Sequence, residues 1–589
     1  MFKNKSAKFL VMILFCMFIA SCSSSSNSAS SQPTITTQAG IVAGVTRNGV
    51  NEYRGIPYGV AQRWALPTDA PSWQGIFDAS SFGPACPQQA RFELTEGSTN
   101  ENCLSINVSM PTDIKPGEVL PVLFWIHGGA FIGGSSNLYR LDKLAGDGRL
   151  VVVSMNYRLG ALGFMPTSFT TGNYNGNYGL EDQRLAMKWV QKNIAAFGGD
   201  ANNITIAGES AGAGSVCMHL SSPAQVKGLF NKAIVQSAGC MQQLPTVTEA
   251  LAMDKASATI QEVLCPASSH STSASVSQCM LQKSVEEILI SQGNYTAAHS
   301  GDITPFSPVT GDPTSNPPLA NATVPSSFKY AASKKKLVAV PMIMGGTKDE
   351  LRLYVGYFWQ SWYTKAPNAQ PINESTINSV WLPNFYPGPP AGSSRTYAST
   401  IYDAYADLHS LDPDVVAKTF GSVLSDYNPG IGINNCLYLE TSNVLLNYAI
   451  RNATKLPIYQ FEFADAAAPV CKVGIAEPCP TFEMGAVHSS ELNYFFPNLS
   501  NTHKIDGPDL VPASQALADQ MVAYWAQFAY SGNPNSNGLP SWPLYGGADS
   551  ASVMLLSPGN VGAVNSDKQH QCTSFWNGLY NLRNQPPFP

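Results

Sequence analysis

Short apolar runs recur along the chain at residues 121–126, 150–155, 203–207, 232–236, 340–344 and 456–463. They are strand-length, as a set rich in Val and Ile, and bounded by Gly or Pro, so each predicts a strand buried on both faces. Between them, residues 180–196, 211–220 and 512–530 read as helices. Doubly buried strands alternating with helices predict an α/β fold, with a large, mostly parallel central sheet flanked by helices. Residues 240–335 and 352–430 break this rhythm with Ser, Pro and Thr, and are expected to be insertions forming a lid or pocket wall. There is no internal repeat and no clean linker after residue 31, which predicts one large domain over 33–589.

The start of the chain reads differently. Lys3, Lys5 and Lys8 lead into a 12-residue apolar run over 9–20. That is too short to cross a bilayer, which takes a helix of about 20 residues, and it predicts a signal peptide over 1–21. Ile19-Ala20-Ser21-Cys22 resembles the bacterial lipobox, which implies lipidation of Cys22 and a Ser-rich tether over 22–32. Ordinary cleavage within 21–31 is the other reading. Either way the protein is expected to be exported, touching a membrane only through a lipid anchor.

Composition narrows the partners. With 44% hydrophobic and 13% charged residues in 589, the chain can bury a large core and is too apolar for disorder. Its net charge is −6 and its one basic run, Lys334-Lys335-Lys336, precedes an apolar strand, which excludes nucleic acid as a partner. Apart from Cys16 and Cys22, ten cysteines remain, most in polar, Pro- and Gly-rich surroundings that suit disulfides in an oxidising compartment. No C-x-x-C pair or Cys/His cluster has zinc spacing, so no metal is expected. Spacing leaves the pairing open, although Cys86/Cys103, Cys265/Cys279 and Cys471/Cys479 could each close a local loop.

Two motifs carry chemistry. Gly208-Glu209-Ser210-Ala211-Gly212 is a G-x-S-x-G between the strand at 203–207 and the helix at 211–220. Such a turn lifts the serine from the backbone, and the helix N-terminus behind it offers free N–H groups to a developing oxyanion. Upstream, His127-Gly128-Gly129-Ala130-Phe131 leaves the strand at 121–126, where glycines let backbone N–H groups turn inward. Gly129, Ala130 and Ala211 are the expected oxyanion donors.

Together with these motifs, Tyr53-Arg54-Gly55-Ile56-Pro57-Tyr58, Glu101-Asn102-Cys103-Leu104, Asn156-Tyr157-Arg158-Leu159-Gly160, Leu180-Glu181-Asp182-Gln183-Arg184, Ala196-Phe197-Gly198-Gly199-Asp200 and Phe528-Ala529-Tyr530-Ser531-Gly532-Asn533-Pro534 run in order over nearly the whole chain. In them the sequence resembles the type-B carboxylesterase/cholinesterase family of α/β-hydrolases. The resemblance implies a Ser-acid-His order. Of the late histidines, His488 matches the family's small-residue loop with a glutamate three residues on, while His409, His503 and His570 read as surface residues. For the acid, Asp349 and Glu350 are chemically equivalent choices, and the resemblance assigns Glu350. It further implies supporting buried acids at Glu209 and Glu491, and structural ion pairs Arg54–Glu101 and Arg158–Asp182. The disulfides it implies are Cys86–Cys103, Cys265–Cys279 and Cys436–Cys572. Cys471–Cys479 is then an extra local bridge, with Cys217 and Cys240 left over and Cys217 expected as a buried free thiol.

Departures bear on substrate. The loop between Cys86 and Cys103 holds 16 residues and no Trp, the residue with which cholinesterases hold a quaternary ammonium. Acetylcholinesterase-like acyl-pocket aromatics are not found around residues 304–308. The expected activity is therefore a serine carboxylesterase without cofactor, acting on small or medium esters through a Ser-His-Glu triad and an acyl-enzyme. The alternatives are a lipase, a specialised polymer or toxin esterase, or a non-catalytic adhesion or binding relative of the same fold.

Overall fold

Eleven strands form the main sheet of the computed structural model, in chain order β1 (Val45–Arg47), β2 (Val50–Pro57), β3 (Ser105–Pro111), β4 (Leu120–Ile126), β5 (Val151–Met155), β6 (Gly199–Glu209), β7 (Lys232–Gln236), β8 (Met342–Thr347), β9 (Ile458–Phe463), β10 (Val553–Leu556) and β11 (Gly562–Val564). The structure describes residues 32–580 apart from 91–96, 171–174, 253–255, 267, 299–305, 313, 315–320, 322, 360–370, 390–392, 470–479, 498–509, 548–549 and 551. Cys22, Cys471, Cys479, His503, Thr304 and Pro305 therefore lie outside the described residues.

The strand order is β11-β10-β9-β8-β7-β6-β4-β5-β3-β2-β1. From β10 to β5 every neighbouring pair is parallel. Both flanks turn antiparallel, with β5 on β3, β3 on β2, β2 on β1 and β10 on β11. All six expected strands are present within a few residues. Five further strands were not expected: β10, a four-residue apolar run parallel to β9, and the antiparallel β1, β2, β3 and β11, of which β3 escapes a search for continuous apolar runs because it alternates. In β3, Ile106 and Val108 enter the core while Ser105, Asn107 and Ser109 occupy the other face. That polar face is buried too, and the Asn107 side chain satisfies itself by accepting from Gly55 N and donating to Ser136 and Ser154.

Successive residues of the central strands feed two separate cores. Phe124, Ile126 and Val153 pack on one face, and Leu123, Trp125 and Val152 on the other. Helices Tyr178–Asn193, Ala211–Leu220 and Pro512–Ser531 cover the sheet close to their expected positions. The last begins on a proline and stops at Gly532, whose φ of 74° provides the left-handed cap. Residues 240–335 and 352–430 are largely helical, including Ala256–Leu264, Ser273–Gln282, Val285–Ala298 and Pro413–Asp426. From Pro33 onward the chain forms one compact unit.

Four disulfides are described: Cys86–Cys103, Cys217–Cys240, Cys265–Cys279 and Cys436–Cys572. They fit an exported protein. Cys217 is thus not a free thiol. It faces from helix Ala211–Leu220 onto the segment after β7, and that meeting of two parallel-strand connections leaves no trace in cysteine spacing. Arg158 pairs with Asp182 at 2.7 Å as expected. Arg54 does not pair with Glu101. It meets Glu52 at 2.6 Å, two residues away on the same face of β2, and Glu101 takes Arg63 at 2.7 Å. Among the described residues no helix is long and apolar enough to cross a membrane.

Candidate active site

β4, β6, β8 and β9 run parallel, so the segments leaving their C-terminal ends converge on one edge of the sheet. Ser210 stands between β6 and helix Ala211–Leu220 with φ 54° and ψ −124°, a conformation that side chains rarely tolerate. Its glycine neighbours explain how the turn closes. A Cβ on Gly208 would lie 2.5 Å from the Gly212 carbonyl carbon, and one on Gly212 would lie 2.0 Å from Ile126 O. The Ser210 N–H donates to Gln236 O at 2.9 Å, tying the elbow to the end of β7.

His488 and Glu350 complete a linear array with Ser210. His488 Nε2 is 2.9 Å from Ser210 Oγ, and its Nδ1 is 2.7 Å from Glu350 Oε2. The His488 N–H also donates to the Glu350 carbonyl at 3.1 Å, so backbone and side chain are registered together. Glu350 is fully buried. Its Oε1 accepts from the Thr347 N–H at 2.8 Å and from the Tyr438 hydroxyl at 3.0 Å. Asp349, the competing acid, instead accepts from Ala486 N at 3.1 Å and pairs with Arg352 at 2.9 Å. Tyr438 comes from helix Asn435–Arg451, where no sequence motif announced it.

The loop after β4 lies against the elbow. A Cβ on Gly128 would meet Ser210 Cβ at 3.1 Å and Glu209 O at 2.9 Å. Gly129 has φ 111°, and a Cβ there would fall 2.2 Å from Gly133 O, so only glycine fits. Ala130 and Phe131 follow at φ 54° and 60°. Three positive-φ residues in succession turn the chain sharply as it leaves β4. Ala211 opens its helix, where the first N–H groups have no intrahelical acceptor. The loop that carries Gly129 and Ala130 thus approaches Ser210 at Gly128, while Ala211 follows Ser210 directly.

Both expected supporting acids are buried beside the imidazole. Glu209 Oε1 is 3.2 Å from His488 Nε2 and accepts from the Ser489 hydroxyl at 2.6 Å. Glu491 Oε1 accepts from Gln236 Nε2 at 3.1 Å, and Gln236 in turn accepts from Trp525 Nε1 at 3.0 Å. The Tyr354 ring lies 5.9 Å from the His488 ring. Burial by itself would depress the imidazole pKa, but the carboxylates of Glu209 and Glu350, then Glu491, outweigh it and raise it above the ordinary 6.5. Glu491 is pushed up towards its neutral form, by burial first and then by the negative charge of Glu209 and Glu350. Tyr438, Tyr354, Gln236 and Ser489 were not legible beforehand, since each acts through contacts made across the fold.

The two other late histidines that are described, His409 and His570, stand apart. His409 is exposed, as expected. His570 is buried rather than on the surface, with Nδ1 2.5 Å from Asp426 and Nε2 2.9 Å from Glu462. A surface reading failed because both carboxylates come from distant elements. Its two ring nitrogens are committed, which leaves neither for a nucleophile. No group of residues able to hold a metal occurs among the described residues. Phe306, in the segment expected to lack acyl-pocket aromatics, is buried against Tyr295.

Comparison with known proteins adds an independent line. The model of the carboxylesterase family matches residues 31–576. The chain is 30% identical over 529 residues to the para-nitrobenzyl esterase of Bacillus subtilis, covering 87% of this chain and 92% of that protein. It is 28% identical over 563 residues to human carboxylesterase 3, covering 91% and 89%. The solved structure of a thermophilic PNB esterase superposes with a TM-score of 0.68 at 27% identity, covering 92% of this chain and 99% of that one.

Proposed function

The chain belongs to the carboxylesterase family and is a carboxylic ester hydrolase of the α/β-hydrolase fold, and from that premise we propose that Ser210, His488 and Glu350 hydrolyse small or medium esters through an acyl-enzyme. Ser210 Oγ attacks the ester carbonyl carbon while His488 Nε2 takes its proton. The oxyanion is met by N–H groups of Gly129, Ala130 and Ala211. Loss of one such donor typically costs about 10²–10³ in rate. Collapse expels the alcohol with the proton from Nε2, leaving the acyl group on Ser210. Water then attacks with His488 as base, releasing the acid and restoring the serine. Glu350 holds the Nδ1–H tautomer and stabilises the imidazolium.

The observation that carries this reading is the continuous pair of hydrogen bonds through both nitrogens of His488, at 2.9 Å to Ser210 and 2.7 Å to Glu350. The deciding measurement is hydrolysis of p-nitrophenyl esters from acetyl to palmitoyl by wild type and Ser210→Ala. Cleavage of the shorter esters with an inert variant is expected. A variant as active as wild type overturns the assignment, and a preference for palmitoyl would move it to a lipase. The N-terminal reading belongs to the same proposal: lipidation at Cys22 tethers the enzyme to the cell envelope. Radiolabelled palmitate should enter the exported wild-type chain and not Cys22→Ala.

A further inference from the structure

Ser489 follows His488 directly and adopts φ 67°, in the left-handed region that favours glycine. A non-glycine residue held there beside a reacting group points to a use for its side chain. Its hydroxyl donates to Glu209 Oε1 at 2.6 Å. That same oxygen stands 3.2 Å from His488 Nε2, the nitrogen that meets Ser210 Oγ at 2.9 Å. Glu209 and Ser210 thus compete for one imidazole nitrogen, and Ser489 holds the competitor. We propose that Ser489 is a positioning residue whose hydroxyl restrains Glu209 Oε1, so that the Nε2 proton is exchanged with Ser210 and the leaving alcohol instead of being captured by Glu209.

The physical argument rests on what a proton on Nε2 would do. Once His488 is protonated, its Nε2–H can donate to Ser210 Oγ or to the nearby carboxylate, and a charge-assisted bond to carboxylate is the stronger. A catalytic acid trapped in that bond returns its proton slowly. The Ser489 hydroxyl occupies Oε1 and attenuates its negative potential at Nε2, which weakens the trap without removing the charge that favours imidazolium. The other groups facing the imidazole are Glu350 from the turn after β8, Tyr354 just beyond it, and Glu491 from the histidine's own loop. Tyr438 reaches it through Glu350, while Asp349 binds the Ala486 N–H and Arg352.

The inference rests on the Ser210–His488–Glu350 reading, and its test separates the two. Ser489→Gly suits the backbone angle, so the variant should fold with an unchanged or higher Tm. For p-nitrophenyl acetate, kcat should fall about tenfold with KM unchanged, and the acid limb of kcat/KM should move up by about half a pH unit. In a Glu209→Gln background the same Ser489→Gly change should alter neither quantity, because the competing charge is gone. An acid limb that stays in place or moves down overturns the proposal, as does an equal effect of Ser489→Gly with and without Glu209. If Ser210→Ala proves as active as wild type, the underlying triad fails instead.

Discussion

At Gly346 an added Cβ would lie 2.3 Å from Glu350 Oε1 and 2.4 Å from the Tyr438 ring. The site's acid and the tyrosine that steadies it are seated where only a hydrogen can be accommodated. Gly346→Ala is therefore expected to displace the carboxylate and lower kcat by about two orders of magnitude, a loss of the kind seen when a positioned group moves by about 1 Å. Tyr438→Phe is gentler. It removes one of the donors to Glu350 and should cost about tenfold in kcat, as expected for a hydrogen bond to a charged group. The pH dependence follows from the raised pKa of His488. A general base must be neutral, so kcat/KM should fall as pH drops through that pKa, and the acid limb should lie above 6.5. Glu209→Gln removes the first of the charges that raise it and should move the limb to lower pH. At this scale Ser210 and its glycines were legible because a sharp turn restricts which residues can occupy it, and His488 because its loop matches the family's. Tyr438 and Ser489 were not, since a hydroxyl that reaches a distant carboxylate carries no local pattern.

Between elements, buried charge does what the local motifs cannot. His570 joins Asp426 at the end of helix Pro413–Asp426 to Glu462 in β9, which ties that helical insertion to the sheet. Burial alone would lower the imidazole pKa, but the two carboxylates raise it to about 10 from 6.5. A group whose folded pKa is raised contributes its full stability below the unfolded value and loses it as pH climbs through the folded one. Wild-type Tm should accordingly decline between about pH 7 and pH 10. His570→Gln should show a flatter alkaline profile from a lower start, since removing one partner of a buried pair costs about 3–5 kcal/mol. The second inter-element tie is Cys217–Cys240, across 23 residues. Replacing both with Ala should cost up to about 3 kcal/mol on the chain-entropy account, read as a lower Tm under oxidising conditions. The six doubly buried strands were visible in the chain because they are continuously apolar. The antiparallel β3 was not, because its residues alternate between the core and a buried polar face, and β10 was not, because four apolar residues are too short a run to stand out.

Taken as a whole molecule, the sheet carries two cores, and a disulfide ties the C-terminal segment to helix Asn435–Arg451. Cys436–Cys572 closes 136 residues between the helix that supplies Tyr438 and the end of the described chain. A bridge of that span is worth up to about 4–5 kcal/mol in the entropic model. Mild reductant should therefore lower Tm in calorimetry, yet leave the turnover of p-nitrophenyl acetate unchanged at temperatures where the protein stays folded, because the proposed triad contains no thiol. A loss of turnover well below the reduced Tm would mean that the bridges also set the geometry of the site. The amino-acid sequence by itself determined most of the sheet's parallel centre, the serine elbow and the glycine loop against it. Those features depend on the sterics of a few neighbouring residues and on periodic burial, and both are written locally. The resemblance assigned Glu350, and the structure brings its carboxylate to His488; only the tertiary structure decided that Cys217 is bridged, that His570 is buried between two acids, and which hydroxyl holds Glu209. Each of these depends on where segments far apart in the chain meet, and the spacing of residues along a chain carries no such distance.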